Sequence, residues 1–392
     1  MSMRWNGEAA GPDRRQFIRG AAAALPALCG GGAALWAADA PKPALLPRQK
    51  DPDNLESPFS GLEGVITPND LFYVRNHFAA PRLDAAAWRL KVVGAVARPL
   101  ELTYDQLRDL PSVTKTLTLE CAGNGRAFLT PKAPGVPWEL GAVSTAEWTG
   151  VPLAKVLEKA GVQDGAVDVV LEGGDKGERK DEPKPAGAFP FTRGLPLAKA
   201  MKPEVLLAWK MNGEALPEAH GFPVRAVVGG WYGMASVKWL ARVVVTDKPF
   251  AGYEQTVSYT VWERRDGLAS LTPLTEMDVK ASIARPEAGE TVPAGATYRV
   301  HGAAWAGESE VSKVEVSADG GNTWAEATLL GEGAPFVWRL WEYKWKTPAE
   351  GKAVLLARAT DKRGRVQPLE RDPDRRNYMI SHARPTEVRV GG

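Results

Sequence analysis

The sequence predicts an α+β protein, a mixed α/β domain followed by a β-sandwich of immunoglobulin type. Up to about residue 276, runs of alternating apolar and polar residues are interleaved with short helical segments bearing caps and stops. From about Thr275 the texture changes to short, closely spaced alternating strands with hairpin turns such as Asp319-Gly320-Gly321-Asn322. The 392 residues are enough for two domains. The expected division is a leader over 1–40, the mixed domain over 41–276 and the sandwich over 277–392, with the break near Met277.

The leader carries Asp13-Arg14-Arg15-Gln16-Phe17-Ile18-Arg19, then a weakly apolar, Ala-rich stretch from Gly20 to about Ala40. Twin arginines ahead of such a stretch read as a twin-arginine export signal, which places the mature protein in the periplasm. The competing reading is an Arg pair before a membrane anchor. It is weakened by a short apolar run, rich in Gly and Ala and interrupted by Pro26. Ala38-Asp39-Ala40 fits a small-x-small cleavage rule, and Leu28 before Cys29 does not support a lipoprotein site. Pro41 to Ser60 reads as an extended lead-in.

Asn69 to Phe78 is expected to be an aromatic strand ending in Arg75-Asn76-His77. Trp88 to Gly94 alternates and reads as a strand. Thr103 caps a short helix that Pro111 halts. Leu117-Thr118-Leu119-Glu120 is a half-buried strand running into Cys121, followed by a permissive Ala122-Gly123-Asn124-Gly125 turn and Arg126. Trp138, in a Pro/Gly loop, is either core or a pocket wall. A helix runs from about Leu153 to Lys159 and ends at Gly161, and Val167 to Leu171 is a strand. Gly173 to Gly187 reads as an exposed loop. Val205 to Met211 is a strand turned by Asn212-Gly213. His220 to Gly233 forms a Gly-rich turn before a strand beginning at Ser236. In the C-terminal region the strands are Ala281–Ile283, Thr297–Val300, Val311–Ser317 and Val354–Ala359.

Hydrophobic residues make up 44% and charged residues 24%, which is ordinary for a globular protein. A formal net charge of +2 gives no support to nucleic-acid binding. Of two cysteines, Cys29 falls in the leader, so Cys121 is the one thiol expected in the mature chain. That excludes an internal disulfide and Cys-rich zinc or iron–sulfur sites, and no Cys-x-x-Cys-His marks a c-type haem. A lone thiol in an oxidising compartment needs burial or a metal. Beside glycines and Arg126, Cys121 suits a thiolate ligand or nucleophile, with a buried apolar filler as the alternative.

Arg75 can hold an anion in bidentate fashion and His77 can donate to phosphate oxygens, although taken alone the pair is better explained as solvated loop residues. Around the Gly-rich turn, His220, Arg225 and Lys238 surround exposed backbone N–H groups, an arrangement suited to a diphosphate and its attached ring.

Taken together, Arg75-Asn76-His77, Cys121-Ala122-Gly123-Asn124-Gly125-Arg126, His220-Gly221-Phe222-Pro223-Val224-Arg225 and Val237-Lys238-Trp239 resemble the sulfite oxidase family, from about Pro58 to the C-terminus. The resemblance implies a molybdopterin-binding domain holding one molybdenum through a pterin dithiolene, followed by a dimerisation sandwich. It implies Cys121 as the protein thiolate on the metal, and Tyr73, Asn76, His77, His220, Arg225 and Lys238 as cofactor-binding residues. As catalytic residues, Arg75 and Trp138 would line the anion pocket, with Arg126 close behind Cys121. It further implies oxidation of a small anion, sulfite, with electrons leaving to an external cytochrome c, because the haem domain of some relatives has no counterpart here. One departure stands out: Arg264-Arg265-Asp266 ends in Gly267 where the family's sulfite oxidases carry a Tyr, leaving Tyr232 or Tyr259 to supply a hydroxyl. Gly125 also stands where many relatives carry Arg. Two other readings are a molybdenum reductase of a sulfoxide or oxyanion on the same fold, and a non-enzymatic exported binding protein.

Overall fold

A computed structural model describes residues 44–391; the twin-arginine motif, Cys29 and Ala38-Asp39-Ala40 lie outside the described residues. The N-terminal part is built on two five-stranded sheets. One contains Val113–Glu120, Val143–Pro152, Val205–Met211, Glu214–Ala215 and Arg225–Val228, all antiparallel. The other runs in the order Leu100–Thr103, Arg89–Gly94, Leu240–Thr246, Asp168–Gly177, Phe189–Pro196. In this second sheet only the Arg89–Gly94 and Leu240–Thr246 pair is parallel. The sheets share a core in which Leu90, Val92, Val169, Leu171, Leu195, Leu207 and Val243 are fully buried. Full burial of each such side chain stabilises the fold by roughly 1.5–3 kcal/mol.

Helices are few and short. Tyr104–Arg108 begins at the expected Thr103 cap, whose hydroxyl accepts from Gln106 N while the Gln106 side chain returns to Thr103 N, a reciprocal capping box. Leu153–Ala160 buries Leu153, Val156, Leu157 and Ala160, the i, i+3, i+4, i+7 face that its sequence period calls for, and stops at left-handed Gly161.

The C-terminal part is two sheets face to face. Lys280–Arg285, Thr297–Trp305, Arg339–Lys346 and Thr328–Leu329 form one. Thr291–Val292, Thr386–Val390, Gly351–Asp361, Val311–Ser317 and Ala325–Glu326 form the other. Val300, Val314, Trp341 and Leu355 lie wholly inside. This is the sandwich that the alternating pattern predicts.

Three local expectations need correction. The lead-in is not simply extended: Leu46–Lys50 and Asp53–Glu56 pair as an antiparallel hairpin. Asn69 to Phe78 is not a strand. It is a loop held by a single bridge between Val74 and Leu55 and by Asn54, whose Oδ1 accepts from Asn76 N at 2.8 Å. Gly173 to Gly177 is not exposed loop but the continuation of Asp168–Gly177, because Gly174 N donates to Trp239 O at 2.8 Å and Asp175 is buried. Glycine is needed there: a Cβ on Gly173 would lie 2.9 Å from Lys238 O.

Candidate active site

The strand Val113–Glu120 delivers Cys121 to the floor of a cleft of about 640 Å³, counted to its open mouth. Cys121 is 6% exposed. Its N–H donates to Ala142 O and its C=O accepts from Asn124 N, both at 2.9 Å, so a tight turn leaves the thiol facing the cleft. Tyr73, Arg75, Asn76 and His77 line the same cleft from the loop after Asp70, and His220, Arg225 and Lys238 line it from the Gly-rich turn. Here the loop geometry has a purpose. In a strand, successive side chains point to opposite faces, whereas neighbouring Arg75, Asn76 and His77 all reach this cavity.

The electrostatics of the cleft are one-sided. Among the described residues, Arg75, Arg225 and Lys238 make no ion pair. Arg225 donates instead to the carbonyls of Ala226, His220 and Ser236, and Lys238 to Ala219 O and Asn76 Oδ1. Burial, with Lys238 and Arg225 facing each other, holds the Lys238 ammonium well below its ordinary pKa; burial lowers Arg225 to about 10. Burial also lowers His77, which Arg75 reinforces, and takes His220 down to about 3, so both imidazoles are neutral at pH 7. Buried cations without counter-charges are costly, and a bound polyanion would relieve them. The one carboxylate in the cleft, Asp175, is raised to about 6 by burial.

Trp138, expected to line the pocket, does not line this cleft, and neither does Arg126, expected close behind Cys121. Arg126 is drawn to backbone carbonyls, Nε to Asn377 O at 3.1 Å and Nη1 to Val136 O at 2.9 Å, and lies over the Tyr378 ring. Trp138 is fully buried behind Tyr73, edge to ring at 6.4 Å, with its indole N–H unpartnered. Among residues that the sequence pattern did not mark, Asp175, hidden by the loop reading of its Gly-Gly surroundings, and Phe191, on which His77 stacks at 4.2 Å, also line the cleft.

The question raised by Gly267 is resolved by position. Gly267 sits at the open tip of a hairpin, Thr260–Arg265 with Leu268–Pro273, at φ +79° and with nothing near it. Tyr259, eight residues earlier, lines the cleft, hydrogen bonded through its hydroxyl to His77 Nε2. Burial raises its phenol pKa, so it is a hydroxyl at neutral pH. Tyr232 is buried elsewhere, its hydroxyl accepting from Asp278 N.

Residues 77–254 match the family described as oxidoreductase molybdopterin binding domain, and residues 272–377 match the Mo-co oxidoreductase dimerisation domain. The mitochondrial sulfite oxidase of Mus musculus is 40% identical over 353 residues, covering 83% of this chain and 62% of that protein. The sulfite oxidase of Gallus gallus is 37% identical over 357 residues, covering 85% of this chain and 75% of that protein. Among solved structures, the sulfane dehydrogenase SoxCD from Paracoccus pantotrophus superposes with a TM-score of 0.73 at 29% identity, covering 90% of this chain and 86% of that one. The chain thus spans about 62% of the length of the mammalian relatives it matches. The residues present fit a molybdenum–pterin cofactor: a soft thiolate donor in Cys121, cations without ion pairs for a phosphate (Arg225 buried, Arg75 and Lys238 half-buried), and neutral imidazoles as hydrogen-bond partners. By sequence, by fold and by the donor set of this cleft, the chain belongs to the sulfite oxidase family of molybdopterin-dependent oxidoreductases.

Proposed function

We propose that the protein is an exported enzyme that oxidises sulfite to sulfate and passes the electrons to an external cytochrome c, reaching the periplasm by the twin-arginine route and working as a homodimer through its sandwich. The observation that carries this reading is the buried Cys121 thiol sharing one cleft with Arg75, Arg225 and Lys238, none of them ion-paired. Among its relatives the vertebrate sulfite oxidases are 37–40% identical, above two nitrate reductases at 33% and 32%, and a sulfane dehydrogenase shares the fold. The higher identity to the sulfite oxidases supports oxidation over a reductase, and none of these names is that of a non-enzymatic binding protein.

In balance, sulfite and water give sulfate, two protons and two electrons. A molybdenum cofactor supplies the two-electron redox centre when bound at Cys121. The chain's own residues bind and orient. Asn76, His77, His220, Arg225 and Lys238 would hold the pterin and its phosphate, with Tyr73 along the wall. Arg75 and the Tyr259 hydroxyl offer fixed donors to a small anion, in a cleft where such donors need no reorganisation. His77, neutral and stacked on Phe191, fixes where that hydroxyl points.

The test is reduction of cytochrome c by sulfite with metal-replete protein, run beside thiosulfate and beside reduced-dye assays with sulfoxide and nitrate. Sulfite-dependent reduction is expected, and Cys121→Ser is expected to lose molybdenum and about 10²-fold or more of the activity. Metal-replete protein that leaves cytochrome c oxidised would sink the sulfite reading. Sedimentation of the exported form tests the dimer, and its absence from the periplasmic fraction would remove the export route.

A further inference from the structure

Arg193 is a guanidinium with no exposed surface and no ion pair among the described residues. Burial lowers its pKa to about 10. One arm of its fork donates to the backbone carbonyl of Glu254 and the other to that of Leu274, while its Nε is left without a partner. Burying an arginine to satisfy two carbonyls is expensive unless the carbonyls need to be held.

Those two carbonyls bracket Tyr259. Glu254 lies in the helical turn Tyr253–Thr256 just ahead of it. Leu274 follows the hairpin that begins at Thr260, and its N–H donates to Tyr259 O at 2.8 Å. Tyr259 itself has φ +44°, the left-handed region that a bulky residue occupies only when its surroundings impose it. The chain of contacts closes on itself, from Tyr259 O to Leu274 N–H, from Leu274 O to Arg193, and from Arg193 to Glu254 O.

We propose that Arg193 is a positioning residue that clamps both flanks of Tyr259 in its left-handed conformation and so keeps the phenol hydroxyl in the active-site cleft. The catalytic consequence rests on the proposed sulfite oxidation, whereas the clamp itself does not. A planar fork is what the job requires, since a lysine offers a single point donor and cannot span both carbonyls.

The experiment compares Arg193→Lys and Arg193→Met, each alone and combined with Tyr259→Phe. Amide exchange is followed at Leu274, and turnover is measured with sulfite and cytochrome c at equal molybdenum content. In either Arg193 variant, exchange at the Leu274 amide is expected to accelerate about tenfold or more while the sheet cores stay protected. Turnover should fall about tenfold or more with a smaller change in KM. In the Tyr259→Phe background the same substitutions should change turnover by less than about twofold, because the group they position is gone. Unaltered exchange at Leu274, or an equal loss of turnover with and without the Tyr259 hydroxyl, would overturn the proposal. Should the wild type leave sulfite untouched, the exchange measurement decides the clamp alone. If Arg193→Met does not fold, Arg193→Lys carries both readouts.

Discussion

His220 shows how one buried side chain couples the cleft to pH. Its imidazole is neutral in the fold because burial, with Lys238 and Arg225 beside it, lowers its pKa to about 3, against about 6.5 in an unfolded chain. Between those values the folded state binds fewer protons than the unfolded one. The stability from His220 is therefore complete above pH 6.5 and is lost as pH falls toward 3. Between pH 6.5 and 5 the loss is about 2 kcal/mol, and urea-unfolding curves should show His220→Gln less sensitive to acid over that interval. Arg126 makes the opposite point. Its type and its nearness to Cys121 were plain in the sequence. Its commitment to Asn377 O and Val136 O was not, because Asn377 is 251 residues away.

The turn Glu218–His220 with Gly221 sets one wall of the cleft. Gly221 has φ +108°, and a Cβ there would lie 3.0 Å from Lys238 Cβ and 3.1 Å from Arg225 Cβ. Gly221→Ala therefore meets backbone strain and a crowded pair of cleft-lining side chains together. A destabilisation of about 1–3 kcal/mol is expected, read by thermal unfolding, with a fall in molybdenum retained through purification. The hairpin Thr260–Pro273 teaches a different lesson. Its Arg264-Arg265-Asp266-Gly267 run looks like a functional motif, yet Arg264 pairs with Asp374 and Gly267 faces solvent. The pocket tyrosine lies just before the hairpin's first strand.

Across the two halves, the sandwich is part of the frame around Cys121. Glu120, next to the cysteine and almost wholly buried, accepts from Lys280 Nζ and Trp305 Nε1, both at 2.9 Å and both from the sandwich. Met379 N donates to Ala122 O, and Thr118 bonds to Phe336 and Trp338. Removing one partner of a buried pair leaves the other charge stranded. Lys280→Met should cost about 3–5 kcal/mol in urea unfolding, and adding Glu120→Gln should recover much of it. Strictly additive losses would mean that the pair is not coupled.

Local chemistry was legible in the chain itself. The helix cap at Thr103, the stop at Gly161 and the Asn212-Gly213 turn rest on neighbouring residues and formed as read, whereas the strand into Cys121 formed where expected but is buried on both faces at Leu117–Glu120 rather than half-buried. So were the two-part architecture and the residue types that meet in the cleft, because strand alternation and separated His, Arg and Lys motifs survive in one dimension. Which tyrosine enters the cleft, whether Asp175 is buried, and where Arg126 spends its donors depended on partners far away in sequence. Tyr259 reaches His77 across 182 residues and Glu120 reaches Trp305 across 185. Such contacts follow from sheet order and packing, which a local pattern does not encode, and for that reason only the tertiary structure decided them.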